Sequence, residues 1–456
     1  MDTRQHGIWQ RSLEHYPTGG RRVWYLALAV IATIILYYEL YTLASVVPLI
    51  QVAFHLSLTN YVYAIVLGNL LGAVTAIFGG LSDRIGRSNL IVYGLLVTGI
   101  VTIALAFTTT TISFFILYWV LGFVEGLILV VTPALVRDFS PRLGRAAAMG
   151  FWTVGPVGGS VLATIVASLT LPIYHNWQSQ YVIAGIVGIV VFVLCFFGLR
   201  ELSPGMRDQV MTSLREKATI EERAGSIDVA AAVAHPWRQM LTPRVIFSSI
   251  GISAFLLIYF AAVGFFPLYL TTIFKFSLSQ ANGLVGIFWI VNVVAAIVIG
   301  LISDRTIVRK PYMLGGAIAT IVVTILFISR IGQPTGATLM AIFLALFGIT
   351  LATAYVTWMA SFTETVESIN PALVATGLSV EGSILRIFVV VSTLALPIVV
   401  GNGQGWGTWW WVCIVGMVVF IPTIFINIGH WSMTRARAEV QSSEGAPTTQ
   451  VEPTIG

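Results

Sequence analysis

Residues 79–89 read GGLSDRIGRSN, and residues 300–311 read GLISDRTIVRKP. Superposing Asp83-Arg84 on Asp304-Arg305 sets an offset of 221 residues, close to half of the 456-residue chain. Each stretch ends one long apolar segment and runs directly into the next. A weaker echo pairs SPRLGRAAAMG (140–150) with NPALVATG (370–377). Two copies of one loop, half a chain apart, divide the sequence into two parallel halves.

Working outward from the two loops, the chain is a series of apolar stretches. The sequence is 57% hydrophobic and 9% charged, whereas an average soluble domain is roughly 25% charged. A bilayer can cover that much apolar surface, and one helix crosses it with about 20 apolar residues. Twelve spans are expected, at 24–50, 61–80, 89–108, 111–136, 146–171, 180–199, 245–272, 281–303, 311–329, 337–362, 374–400 and 408–430. No period-2 alternation occurs, which excludes an outer-membrane barrel. The expected organisation is an N-terminal segment (1–23), a six-helix bundle (24–199), a central loop (200–244), a second bundle (245–430) and a tail (431–456). The fold class is therefore an all-α integral membrane protein. No cleavable signal peptide is expected, because the first 23 residues are polar and the first apolar stretch is a full span.

All Lys and Arg except Lys275, Arg330 and Arg386 lie in the two tails and the even-numbered loops. The positive-inside rule then puts both termini in the cytoplasm. The formal charge of +5 is accounted for by topology, and no nucleic-acid partner is implied. Ile8, Trp9, Leu13 and Tyr16 fall at helical spacing, as do Met206, Val210 and Leu214; both sets predict helices lying along the membrane surface. The polar sequence after Arg437 predicts disorder. Cys195 and Cys413 sit in apolar spans and read as small buried hydrophobes.

The two loops also carry a family likeness. The chain resembles the major facilitator superfamily over essentially its whole length. The signature loop of that family is matched by Gly80, Leu81, Asp83, Arg84, Gly86 and Arg87. The resemblance implies two pseudo-symmetric six-helix bundles around a central cavity lined by spans 1, 4, 7 and 10. It also implies that Gly80, Asp83, Arg84, Gly86, Arg87, Asp304 and Arg305 form a conformational switch. Asp83 would face the positive end of a neighbouring helix dipole, with span 11 as the neighbour that the family implies. Arg84 and Arg87 would pair charges across the face between the halves. GPVGGS (155–160) is similar to a Gly-Pro motif of proton-coupled antiporters. Its Gly155, Pro156, Gly158 and Gly159 read equally well as a close helix-packing surface. The family's antiporters carry an Arg in span 4 within R-x-x-Q-G, where this chain has Gly122-Phe123-Val124-Glu125-Gly126. That departure speaks against a standard drug–proton exchanger.

Four ionisable residues lie well inside spans: Glu39, Glu125, Glu381 and Arg386. Each costs roughly 2.5–3.5 kcal/mol at mid-helix, so each needs a partner or a watery cavity. Glu39 borders a polar stripe of Tyr38, Tyr41, Thr42 and Ser45. Glu39 and Glu125 together are the expected proton-coupling pair, facing the cavity. Arg386 is either a receiver of an anionic substrate or half of an internal ion pair. Glu381, five residues away, is poorly placed to pair with it along one helix. Tyr38, Tyr41, Tyr259, Tyr355, Trp358 and Asn292 are further candidate substrate contacts, Asn292 equally well serving as interhelical glue.

No nucleotide-binding loop, metal-ligand spacing or nucleophile elbow occurs, so neither an enzyme nor a self-contained ATP-driven pump is expected. The expected function is proton-coupled transport of a small organic solute, an organic anion first. The proton gradient would supply the driving force, with no cofactor, no metal, and a single chain sufficient for the pathway. Proton-coupled efflux of drugs or metabolites is the alternative.

Overall fold

In a computed structural model of the chain, residues 11–75, 86–139, 145–203, 205–206, 236–306, 308–370, 373–401 and 405–434 are described. The first half contains α1 (Gly20–Phe54), α2 (Leu58–Val74), α3 (Arg87–Leu105), α4 (Thr111–Asp138), α5 (Arg145–Tyr174) and α6 (Gln178–Gly198). A short α7 (Pro236–Met240) leads into the second half. There follow α8 (Pro243–Phe255), α9 (Leu257–Ile273), α10 (Leu278–Thr306), α11 (Lys310–Ile328), α12 (Ala337–Ile369), α13 (Val374–Val400) and α14 (Trp406–Thr423). Among the described residues eleven helical segments are long and apolar enough to cross a membrane, α8 and α9 counting as one, and Leu58–Gly72 of α2 is a shorter apolar helix. The molecule is an all-α membrane protein.

Local chemistry sets several helix ends. Thr242 caps α8 by accepting from Val245 N, and Pro243 follows at the first helical position, where its missing N–H leaves no orphan. His55 closes α1 in the left-handed conformation with its N–H on Gln51 O. The seventh span is not one helix as the sequence predicts: it breaks at Leu256 into α8 and α9. The twelfth ends at Thr423, short of the limit expected at His430, and the chain after it is bonded at Ile428 to the C-terminal part of α12.

Glycine seams bring the helices together. Gly68 and Gly72 of α2 meet Gly122 and Gly126 of α4 backbone to backbone: a Cβ on Gly122 would lie 3.2 Å from Gly68 O, and one on Gly126 2.5 Å from Gly72 O. With no hydrophobic force between helices in lipid, such close approach supplies the packing.

The halves join at one end only among the described residues. One apolar core runs through the second half and into the first half through Leu43, Ile50, Tyr61, Phe114, Leu171 and Trp177. The opposite end of the first half keeps a separate core, containing Leu28, Leu36, Ile91, Leu135 and Leu199. The hydrogen bonds that cross between halves lie at the joined end: Tyr61 Oη to Gly264 O (3.3 Å), Asn282 Nδ2 to Ser45 O (2.8 Å) and Ser279 Oγ to Ser168 O (2.7 Å). The helix ends nearest the chain termini are the ones that stand apart.

The N-terminal segment departs from expectation. Ile8 and Trp9 lie outside the described residues, and Leu13 and Tyr16 are not helical: β1 (Ser12–Leu13) pairs in parallel with β2 (Glu201–Leu202), which follows α6. Arg11 anchors this strand. It is fully buried, and its guanidinium lies 4.6 Å from the ring centre of Phe196 and 5.6 Å from that of Tyr93. Burial draws it below the ordinary arginine value. Periodicity alone could not reveal a strand whose partner lies nearly two hundred residues away. In the central loop residues 205–206 are helical, while Val210 and Leu214 lie outside the described residues, as does the tail after Arg437.

Candidate functional site

The polar face of α1 splits in two. Tyr37 and Tyr41, one turn apart, lie with ring centres 5.4 Å apart and planes tilted by 38°, and look toward the second half. Tyr37 lies within electrostatic range of Glu125 on α4 and of Arg386 on α13. Tyr41 lies within range of Tyr259 on α9 and of Tyr118 and Glu125 on α4. Tyr355 on α12 neighbours both Glu381 and Tyr259, and Glu381 neighbours Arg386. Five tyrosines, two carboxyls and one guanidinium from both halves therefore gather midway along the helices.

Within that cluster Glu125 is 1% exposed, and neither of its oxygens has a hydrogen-bond partner among the described residues. Arg386, thirteenth of the 27 residues of α13, is exposed and makes no ion pair among the described residues. A cation at that depth is tolerated only in a water-filled cavity. The cluster offers one guanidinium fork for an anion, phenol hydroxyls for hydrogen bonds, ring faces for stacking, and buried carboxyls that can hold a proton.

Glu39 is not part of it. Its carboxyl turns away from the second half and lies against Gly188 of α6, beside Gly99 of α3. It is 0% exposed, and neither oxygen makes a hydrogen bond of ordinary geometry; Thr98 is its polar neighbour. The expectation that Glu39 and Glu125 both face the cavity is corrected for Glu39, although their charges are close enough to interact. A 3.6-residue period puts Glu39 about 200° from Tyr37, so the two cannot share a face. Tyr38 also falls on the inner side, 2% exposed and next to Glu39.

Two more candidates lie outside the cluster. Trp358 touches it only from behind, stacked on Tyr355 with ring centres 6.1 Å apart; it is fully buried within the second half, donating to Ser248 Oγ at 3.0 Å and stacking on Phe362 at 4.8 Å. Asn292 donates to Gly348 O at 3.1 Å and ties α10 to α12. The glycines of GPVGGS face α1. A Cβ on Gly155 would lie 2.5 Å from Thr33 Cγ2, one on Gly159 2.5 Å from Tyr37 Cβ, and Gly158 meets Ile34; Pro156 lies within α5. Gly122, where an exchanger's arginine would stand, is filled by the α2 backbone.

Of the switch residues, Gly80, Asp83 and Arg84 lie outside the described residues. Gly86 takes φ 97°, the left-handed region open to glycine, and a Cβ there would collide with Glu201 Oε1. Arg87 Nη1 grips Asp138 at the end of α4 through both oxygens (2.8 and 2.7 Å), and its N–H donates to Glu201 Oε2 at 2.8 Å. These three bonds stay within the first half. In the second half Asp304 pairs with Arg309 (2.7 Å), which also holds Glu364 (3.1 Å); Arg305 is exposed. Both arginine clasps join the start of a third helix to the end of a fourth.

Sequence reasoning missed Tyr37, Tyr118 and Arg309. Tyr37–Tyr41 at i,i+4 and Tyr118–Glu125 at i,i+7 were available as same-face spacings.

A sequence model described as the Major Facilitator Superfamily matches residues 29–380. Similar proteins include a gallate transporter of Pseudomonas putida, 25% identical over 55% of this chain and 58% of that protein. A cis,cis-muconate transport protein of Acinetobacter baylyi is 26% identical over 33% and 36%. A multidrug resistance protein of Salmonella choleraesuis is 30% identical over 32% and 36%. The chain thus spans little more than half of the first relative and about a third of the other two. In fold it is similar to a partially occluded, inward-open xylose transporter from Escherichia coli, with TM-score 0.67, 14% identity, and coverage of 89% of this chain and 98% of that one.

Proposed function

The chain belongs to the major facilitator superfamily, and from that premise we propose that it carries a small organic anion across the cell membrane together with a proton. It is a transporter and not an enzyme. The observation that carries the reading is Arg386: a mid-span guanidinium of the second half, exposed and without an ion pair among the described residues, within range of the Tyr37 phenol of the first half. A planar carboxylate would complete its fork, and the ring faces of Tyr37, Tyr41 and Tyr259 suit a flat or conjugated acid. The names of the gallate and muconate relatives lie in the same direction.

Glu125, buried beside Tyr37 and Tyr41, is the proton carrier nearest the bound anion. Glu39 serves the same coupling from behind α1. With both termini in the cytoplasm, as the basic loops argue, the end where the halves part is the inner one, and the conformation is inward-facing. Alternating access then requires the parted ends to close and the joined ends at Tyr61–Gly264 and Asn282–Ser45 to separate.

The test is flux in proteoliposomes holding a pH-sensitive dye. Gallate and cis,cis-muconate are expected to move protons in the same direction as themselves, and R386Q to slow this by about 10–100-fold. If only cationic drugs move protons, and in the opposite sense, the efflux reading replaces this one.

A further inference from the structure

Beside the joined end, where Asn282 bonds Ser45 O, lies a small cavity walled by both halves, with room for about one water-sized group. Tyr41 and Ser45 of α1 and Ser160 and Thr164 of α5 line it from the first half, Pro267 of α9 and Trp289 of α10 from the second. Two contacts tie it to the central cluster. Tyr41 belongs to both, and Trp289 meets the ring of Tyr259 edge-on with centres 5.2 Å apart. Thr164 Oγ1 faces across the halves, 3.5 Å from where a Cβ on Gly286 of α10 would stand.

The aliphatic hydroxyls of this cavity have already used their protons. Ser45 Oγ donates to Thr42 O at 2.8 Å, Ser160 Oγ to Pro156 O at 3.0 Å and Thr164 Oγ1 to Ser160 O at 2.8 Å. A hydroxyl carries one proton and two lone pairs, so each of the three keeps only acceptor capacity for a visitor. Ser45, Ser160 and Thr164 are 2%, 4% and 5% exposed, and bulk water does not satisfy those lone pairs. Among the described residues no Lys, Arg or His lines the cavity.

We infer that this cavity receives a hydroxyl group at the end of the transported anion remote from its carboxylate, and so selects hydroxylated monocarboxylic acids over dicarboxylic ones. A solute hydroxyl donates to the waiting oxygens, and a solute without one leaves them unpaired, which is how a polar site rejects an analogue. A second carboxylate entering here would set its charge against acceptor oxygens with no cation to hold it, a costly burial. Size acts in the same direction: one hydroxyl fills the space of one water, whereas a carboxylate brings two oxygens. The inference rests on the anion reading proposed above and adds the far end of the solute to the near end held by Arg386.

Initial rates of uptake into proteoliposomes test it with three ring acids: gallate, which bears hydroxyls, benzoate, which bears none, and terephthalate, which bears a second carboxylate. Wild type is expected to favour gallate over benzoate by about 10-fold in kcat/KM, the usual worth of one hydrogen bond, and to carry terephthalate less well than benzoate. S160A/T164V removes two of the three acceptors and should bring the gallate-to-benzoate ratio close to one. T164S keeps the hydroxyl and should retain the preference. A ratio between two solutes on one preparation does not respond to a general loss of folded protein. An unchanged ratio in S160A/T164V, or terephthalate carried as well as gallate, overturns the inference and leaves the anion reading standing. Failure of all three acids to be carried refutes the anion reading and this inference with it.

Discussion

The carboxyl of Glu39 rests directly against Gly188, leaving no space for a methyl group between α1 and α6. Replacing that glycine with alanine forces the acid or the helix to move. G188A is expected to lower stability by about 1–3 kcal/mol, as overpacking does. The thermal melt of purified protein would report it, and the G188A/E39A double variant should recover most of the loss. A G188A melt equal to wild type would mean that Glu39 lies elsewhere.

Removing the guanidinium of Arg386 deletes the one fork offered to an anion. R386Q should reduce anion uptake by about 10–100-fold, the usual worth of a charged hydrogen bond, and R386K should retain more activity because charge survives without the bidentate geometry. Initial uptake rates against substrate concentration decide it. Unchanged KM in R386Q would return this residue to a structural role.

Glu125 faces the cluster whereas Glu39 does not, so their neutral variants should differ. E125Q is expected to uncouple transport: exchange of labelled for unlabelled anion continues while accumulation driven by a pH gradient is lost. E39Q keeps the packed shape at Gly188 and should retain substrate affinity. If E39Q raised KM more than E125Q, the placement of the two acids would be reversed.

The two arginine clasps differ in burial and should differ in strength. Asp138 and Arg87 have side chains 9% and 14% exposed, whereas Asp304 and Glu364 are 67% and 42% exposed. Breaking the first by D138N leaves a mostly buried charge and should cost about 1–3 kcal/mol. E364Q, at the exposed clasp, should cost no more than about 1 kcal/mol. Double-mutant cycles with R87Q and R309Q, read from melting, measure both; equal coupling would refute the ranking.

Asn292 should behave as a tie between helices. N292A is expected to cost about 0.6 kcal/mol, the average for an interhelical hydrogen bond in a membrane, with no change in KM for the anion. A KM effect without a stability effect would move Asn292 to the substrate path.

Much of the candidate site was legible in the sequence. Glu125 and Arg386 stand out as charges inside apolar runs, since a bilayer makes such residues expensive whatever the tertiary contacts. Tyr41, Tyr259 and Tyr355 were found as polar-tipped aromatics on the helices that the family likeness placed around the cavity. Tyr38 and Asn292 were chosen by the same criteria and lie elsewhere, and Trp358 backs Tyr355 from within the second half. Residue type says that a hydroxyl or amide needs a partner, and not whether that partner is a substrate, Ser248 or the Gly348 carbonyl. The N-terminal strand was invisible for a related reason: β1 exists only because Arg11 is clamped on Tyr93 and Phe196 and Glu201 lies alongside.

What the sequence determined by itself is the set of properties fixed one segment at a time. Apolar length specifies the spans, the Asp83/Asp304 repeat specifies two halves, and buried charge marks where function is costly, because each follows from transferring one helix into lipid. What only the tertiary structure decided is which way each side chain turns. One residue of helical rotation sends Tyr37 toward the cavity and Tyr38 into the bundle. Arg87 meets Asp138, fifty-one residues on, only once α3 and α4 have packed. Those choices depend on backbone approach at glycines such as Gly159 and Gly188, and such contacts exist only between helices distant in sequence, after they have packed.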